Sequence, residues 1–398
     1  MPRTVNLAAV QMDAYPASTP ERLARADKLV REAADAGAQL ILLPELFHLG
    51  YTYDDSNFDR AESLHGPSAT WMRDLAMGLD IHLAGSILLR DGAEIYNSLL
   101  LFAPSGQMWR YDKNFPWGWE RGYFIGRRNI TVADTALGKI GMLICWDAAH
   151  ASLWREYAGK VDLMLVSSCP PDVGNAAYRF PSGATMTLTE AGSTLGPLHD
   201  SADRNFGTMN DQQTAWLGAP TVAAVGSGMI DTEIPRGKAT WAAMVPLAPK
   251  MARFYNEADG LEMLCPTTAG TKVLDASGTI VSELAAEAGE SWTMAEVTLA
   301  DVTPTPRGPQ PEPPVPASAF LVSDVLLPAL MRKVYRRGNP ATIAGKSFAL
   351  PRLALVGGLA ALLVWAIQRI RSRQRAELPL ERLGEVIEHA IGAIRRPD

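Results

Sequence analysis

Four short apolar runs decide most of what this chain can fold into. Gln39-Leu-Ile-Leu-Leu-Pro44, Gly141-Met-Leu-Ile-Cys145, Leu163-Met-Leu-Val-Ser167 and Thr221-Val-Ala-Ala-Val225 are short and lack polar alternation. A strand is apolar on both sides only where both its faces are covered, so these runs require a sheet enclosed by other layers. The rest of the first 300 residues supplies those layers. Thr19–Ala36 has helical spacing in Leu23, Ala26, Val30, Ala33 and Ala34, a Thr19-Pro20 start and Gly37 as its stop. Pro67–Leu79 and Ala151–Tyr157 read as further helices. Val5–Gln11, Ile81–Leu89, Ser98–Phe102, Ile130–Ala133, Thr271–Asp275, Thr279–Leu284 and Trp292–Val297 read as strands, with Ala276-Ser277-Gly278 as a hairpin turn. Strand and helix alternating in this way predict one α/β domain over residues 1–301. Pro170–Asp211 is polar and Gly-rich, and it exceeds the ~12–15 residues expected of a structureless loop, so it is expected to be functional or partly structured.

The charge is unevenly placed. The chain of 398 residues has 37 Lys and Arg against 43 Asp and Glu, a net charge of −6. Residues 331–398 carry +8 of it, which leaves −14 on residues 1–330. A body this acidic excludes nucleic acid as the natural partner. Between Pro304 and Pro316, seven of thirteen residues are proline, so residues 302–316 are expected to form a stiff, extended linker that stays off the core. Residues 317–398 then form a basic, apolar tail. Ala319–Met331 reads as an interfacial helix or hairpin partner. Leu353–Ile367 has no charge and, extended to 348–370, reaches the length of a membrane helix. Leu380, Leu383, Ile387, Ile391 and Ile394 give a terminal amphipathic helix. The tail is thus expected to attach the chain to membrane lipid, spanning the bilayer or lying in it, with an oligomerisation arm as the alternative. Lys and Arg on both sides leave its orientation open.

Cys145, Cys169 and Cys265 are widely spaced, with no CxxC pair and no Cys/His cluster, so neither a disulfide framework nor a structural metal is expected. The N-terminus has one basic residue and a run too brief for a signal-peptide core, so the body is expected on the cytoplasmic side. Two of the buried runs end in chemistry. Leu42-Leu-Pro-Glu45 closes on a carboxylate and Leu143-Ile-Cys145-Trp-Asp147 on a thiol. Tyr111-Asp-Lys113 and Glu120-Arg-Gly-Tyr-Phe124 lie between them. Reactive groups at strand ends are where α/β folds place active sites.

In this order, and with Val10-Gln-Met near the N-terminus and the hairpin Thr271-Lys-Val-Leu-Asp-Ala-Ser-Gly-Thr-Ile280, these segments resemble the nitrilase (carbon–nitrogen hydrolase) superfamily over residues 4–300. The resemblance implies a four-layer α-β-β-α sandwich whose subunits pair into homodimers or larger homo-oligomers. It implies a catalytic set of Glu45, Lys113 and Cys145, with Glu120 as a second glutamate. The reaction implied is hydrolysis of an amide or nitrile through a cysteine thioester. Acyl transfer to an amine or lipid, or a silent membrane scaffold, are the alternatives. Cys145 would attack, Glu45 would take its proton, and Lys113 with the backbone N–H of Trp146 would stabilise the developing charge. No cofactor or metal is implied. Trp117, Trp119, Trp146, Asp147 and His150 are candidates for the oxyanion site and pocket, whereas Cys169 and Cys265 are expected to be structural. Many amidases of the family follow the cysteine with an Arg-Phe-Pro-Glu-like stretch. Here Ala148-Ala-His150-Ala-Ser-Leu-Trp154 stands instead, which removes the arginine suited to an acidic substrate.

Overall fold

The computed structural model describes residues 3–191, 204–246 and 248–342. Twelve strands form two sheets that share one apolar layer. The first sheet runs Ser291–Leu299, Arg3–Asp13, Leu40–Leu42, His82–Asp91, Glu94–Phe102 and Met108–Asp112. The second runs Val132–Thr135, Gly138–Ile144, Leu163–Ser168, Thr221–Ser227, Lys272–Leu274 and Ile280–Glu283. They join where Met12 and Asp13 pair in parallel with Gly226 and Ser227.

Period-2 alternation explains why the strands look apolar throughout. Along Arg3–Asp13, Val5, Leu7 and Ala9 belong to the layer that contains Met142, Ile144, Leu165 and Val222 of the second sheet. Ala8, Val10 and Met12 point the other way. They pack on Leu29, Val30 and Ala33 of the helix Thr19–Asp35 and on Met72 and Leu75 of the helix Pro67–Leu79. Ser18 caps the first of these helices by accepting the N–H of Glu21 at 3.4 Å. On the second sheet, Trp154 and Tyr157 of the helix Ala151–Tyr157 join the shared core. The α/β reading therefore describes the molecule, whose core is rich in sheet.

The stretch after Pro170 is more ordered than its composition suggests. Ala177–Arg179 and Thr185–Met186 join Met229–Glu233 and Glu262–Pro266 in a separate four-stranded sheet. Strands of two or three residues leave no readable periodicity, which is why sequence pattern does not find them.

The largest departures from expectation fall after residue 301. The compact unit that holds the two sheets extends to Thr342, not to the start of the proline run. The chain there is extended, as its composition requires, but it is strapped to the body rather than held off it. Thr303 donates to Asp162 at 2.7 Å, the N–H of Arg307 to the carbonyl of Trp216 at 2.8 Å, and Gln310 to the carbonyl of Ala151 at 2.7 Å. Gln213 and Trp216 return hydrogen bonds to the carbonyls of Pro311 and Gly308. Prolines remove N–H donors, and the glutamine, threonine and carbonyl groups between them make the contacts instead.

The segment read as an interfacial helix is also protein-bound. Ala317–Phe320, Leu321–Leu326 and Leu327–Gly338 follow one another as helical turns, the middle six residues widened to π-helical. Pro328 cannot donate to the carbonyl of residue 324, which fits a ladder that loosens at that point. Leu327, Met331, Val334 and Tyr335 are buried against the body. Tyr335 donates to Glu94 at 2.9 Å, and Asn339 to the carbonyl of Ala93 at 2.7 Å. An apolar helical face with a basic opposite face looks the same in sequence whether it meets lipid or protein. Among the described residues no helix is long and apolar enough to cross a membrane. The candidate span at 348–370 and the terminal amphipathic helix lie outside the described residues.

Candidate active site

Four strand ends converge beside the join between the sheets. The run from Leu40–Leu42 delivers Glu45, Met108–Asp112 delivers Lys113, Gly138–Ile144 delivers Cys145, and Leu163–Ser168 delivers Cys169. The apolar run that ends in Cys145 is a strand only as far as Ile144. Cys145 itself turns out of the sheet with φ 48°, a left-handed value that non-glycine residues seldom adopt. Leu46 does the same after Glu45, at φ 50°, and its N–H is held by Ser86 Oγ at 2.9 Å. Such conformations cost on the order of 1–3 kcal/mol each and persist where the surroundings fix them.

Lys113 sits at the centre, wholly buried. Its Nζ lies 2.7 Å from Glu45 Oε1, 2.7 Å from Glu120 Oε2 and 2.9 Å from Glu120 Oε1. Glu45 also accepts from Asn97 Nδ2 at 2.7 Å and from the N–H of Cys169 at 3.0 Å. Glu120 accepts the Tyr51 hydroxyl and the N–H of Trp117, the latter at 2.7 Å. Glu45, Lys113 and Glu120 thus form one closed cluster.

Its electrostatics follow from burial. Loss of water pushes the Glu45 carboxyl up to about 7, against the pull of Lys113 and with the charge of Glu120 adding to the rise. Burial also works against the Lys113 ammonium, but Glu120 and Glu45 outweigh it and hold the lysine charged. The Cys145 thiol is pushed well above its ordinary value, first by burial and then by the neighbouring Glu45 charge. At rest the cysteine is therefore a neutral thiol close to a carboxyl poised near neutrality.

The remaining candidates divide. Asp147 is not among the residues that line the cavity of Trp117, Trp119 and Trp146. It is buried as a staple, accepting the Tyr111 hydroxyl at 2.8 Å and the N–H groups of Asn114, Phe115 and Ile144 at 3.1, 2.7 and 3.3 Å. It ties the Lys113 turn to the Cys145 turn, and burial raises its own carboxyl to about 6. His150 stacks on Phe115, with ring centroids 3.6 Å apart, and its Nε2 lies 3.4 Å from Asp324. Trp117, Trp119 and Trp146 line a cavity of about 670 Å³, part of it open to solvent. The other lining residues are Val173, Tyr178, Leu188, Ile234, Thr240, Trp241, Met244, Met251, Leu261, Ala319, Val322, Ser323 and Leu327. Trp146 directly follows Cys145 and Trp119 directly precedes Glu120, so two of the lining residues are immediate chain neighbours of the cluster. Among the described residues no group of His, Cys, Asp and Glu is arranged to hold a metal ion.

Sequence reasoning missed Tyr51, Asn97 and Asp324. Asn97 left a weak signal, an amide beside Ser98 at the head of the apolar run Leu99–Phe102. Asp324 left none, because its partner Trp146 is 178 residues away.

A strained thiol on a strand end, a buried carboxylate and a lysine held between two glutamates define a protein built around cysteine chemistry on an α/β sandwich. Known proteins resemble this chain in sequence and in fold. Residues 6–187 match the family model of the carbon-nitrogen hydrolases. A nitrilase of Pyrococcus abyssi is 31% identical over 147 residues, which are 36% of this chain and 56% of the relative. Nitrilase 3 of Arabidopsis thaliana is 32% identical over 166 residues, covering 36% of this chain and 48% of the relative. The chain thus spans about half the length of the curated relatives it matches. In fold it is similar to a CN-hydrolase superfamily protein of Xanthomonas campestris, with a TM-score of 0.53, 18% identity, and 87% of this chain and 99% of the other covered. It is also similar to an amidase from Nesterenkonia sp., with a TM-score of 0.51, 20% identity, and coverage of 75% and 91%. Residues 6–187 thus carry a domain that matches the carbon–nitrogen hydrolase, or nitrilase, family.

Proposed function

We propose that the protein hydrolyses a non-peptide carbon–nitrogen bond, in an amide or a nitrile, through a thioester on Cys145. The observation that carries this reading is the buried Glu45–Lys113–Glu120 cluster, whose charges act on the Cys145 thiol. Glu45 takes the thiol proton as Sγ attacks the carbonyl or nitrile carbon. Negative charge then grows on the substrate oxygen or nitrogen. Lys113 Nζ and the backbone N–H of Trp146 are the donors assigned to it. For an amide, Glu45 returns the proton to the departing ammonia or amine. For a nitrile, the protonated nitrogen gives a thioimidate, to which a first water adds with loss of ammonia to leave the thioester. Glu45 next deprotonates the water that splits the thioester, releasing a carboxylic acid and restoring the thiol. Glu120 acts on Lys113, holding it charged and in place.

Ammonia release from a panel of small amides and nitriles, read beside intact mass for an acyl adduct, tests this. Wild type should turn over at least one member and Cys145→Ala none. Equal behaviour of the two across the panel overturns the reading, and product that forms only with an added amine acceptor assigns acyl transfer instead.

Attachment to membrane lipid through residues 343–398 is proposed on the sequence alone, with the catalytic body in the cytoplasm. The informative truncation falls after residue 342, because 317–342 belongs to the compact unit that holds the site. Full-length protein should co-sediment with anionic vesicles and the chain ending at Thr342 should not. Equal sedimentation removes the proposal.

A further inference from the structure

The cavity beside Trp146 is richer in apolar surface than a small amide requires. Thr240 and Ser323 supply its only side-chain hydroxyls apart from Tyr178, and no Lys, Arg, Asp or Glu lines it among the described residues. Much of its wall lies outside the matched family segment 6–187. Trp241 and Met251 come from the region around the small sheet, and Val322 and Leu327 from the terminal helical turns.

We propose that this cavity is the acyl pocket for a large uncharged group, arylalkyl or medium-chain alkyl, and that the segment Ala317–Gly338 is the wall that sets how large a group fits. The inference rests on the Cys145 reading for the position of the reacting carbon.

Four contacts seat that wall on the other parts of the site. Asp324 Oδ1 accepts the indole N–H of Trp146 at 3.0 Å, which joins the wall to the residue next to the nucleophile. A Cβ on Gly118 would lie 2.9 Å from Leu327 Cδ1, and one on Gly122 would lie 3.3 Å from Val334 Cγ1. The absence of side chains there lets the terminal helix press on the turn that carries Glu120. Arg236 donates to the carbonyl of Leu330 at 2.8 Å, tying the wall to the region around the small sheet. The π-helical turns hold Val322 and Ser323 at the cavity surface, and widened turns of this kind recur at functional sites. A charged acyl group entering here would lose its water with no counter-charge, whereas each buried methylene favours binding.

Binding is separated from turnover by using full-length protein with Cys145→Ala. Calorimetric titration would compare acetamide, butyramide, hexanamide and phenylacetamide, with succinamate as the charged control. Affinity should rise about fourfold per added methylene until the cavity fills, and succinamate should bind no better than acetamide. Val322→Trp, which fills the cavity from the terminal wall, should weaken hexanamide and phenylacetamide at least about tenfold relative to acetamide. If that variant loses its circular dichroism, Ser323→Phe makes the same test. Equal affinities along the series, tightest binding of succinamate, or an unchanged ranking in a folded wall variant overturns the proposal. The two readings fail separately. Turnover of amides without size dependence sinks the pocket and keeps the cysteine chemistry. Size-dependent binding without a Cys145 adduct on any substrate does the reverse.

Discussion

The polar cluster and the cavity beside it are made of opposite materials by opposite means. The cluster puts three charged side chains out of water and survives because each charge meets another within 2.9 Å. The cavity has no charged lining and depends on shape alone. The cluster's ionic groups lie between residues 45 and 120, with the thiol at 145, inside the matched family segment. The cavity draws on residues from Trp117 to Leu327. Chemistry is thus concentrated in a few strand ends, and recognition is spread over the later chain.

This contrast can be broken at several points. The largest effect is expected from Cys145→Ala, which should lower turnover about 10⁴-fold or more with the fold intact, as read by steady-state assay and circular dichroism. Lys113→Met should act on stability as well, because Glu45 and Glu120 would remain buried without their cation. A loss of about 3–5 kcal/mol in urea unfolding is expected, and a loss below about 1 kcal/mol would show the cluster to be hydrated. Gly118→Ala reaches the cavity side. Gly118 has φ 41° and a new methyl would press on Leu327, so about 1–3 kcal/mol of stability should be lost.

The pH dependence addresses the cluster again. Glu45 must be ionised to accept the thiol proton, and its carboxyl titrates at about 7. Accordingly kcat/KM should fall about tenfold per pH unit as pH drops below that value, and Glu45→Gln should abolish the limb along with most of the activity. A flat profile down to pH 5 would assign the base elsewhere. The smallest effect sharpens the comparison of ion pairs. Arg337 and Asp55 meet at 2.8 Å but are 67% and 58% exposed, so Arg337→Ala should change stability by no more than about 1 kcal/mol by chemical denaturation.

How much was legible in sequence follows the same division. Glu45, Lys113 and Cys145 were readable because each closes a local pattern, an apolar run or a turn followed by one reactive residue. The role of Asp147 was not, since its partners Tyr111, Asn114 and Phe115 are 32–36 residues away. Trp117, Trp119 and Trp146 could be nominated as pocket residues by their place beside the motifs. Trp241 and Met251 could not, because nothing near them in sequence bears chemistry. The proline segment was read correctly as extended and wrongly as detached. Composition fixes the shape of such a chain, whereas its position depends on what Asp162, Ala151, Gln213 and Trp216 offer it from elsewhere.

The late position of the pocket wall has a consequence for synthesis. Cys145 emerges from the ribosome well before Ala319, and at about 5–20 residues per second the interval is roughly 10–35 s. For that time the nascent chain carries its nucleophile and Trp146 without the turns that cover them. Translation stalled before residue 317 would leave a tryptophan-rich opening uncovered, a ready handle for chaperones and for aggregation alike.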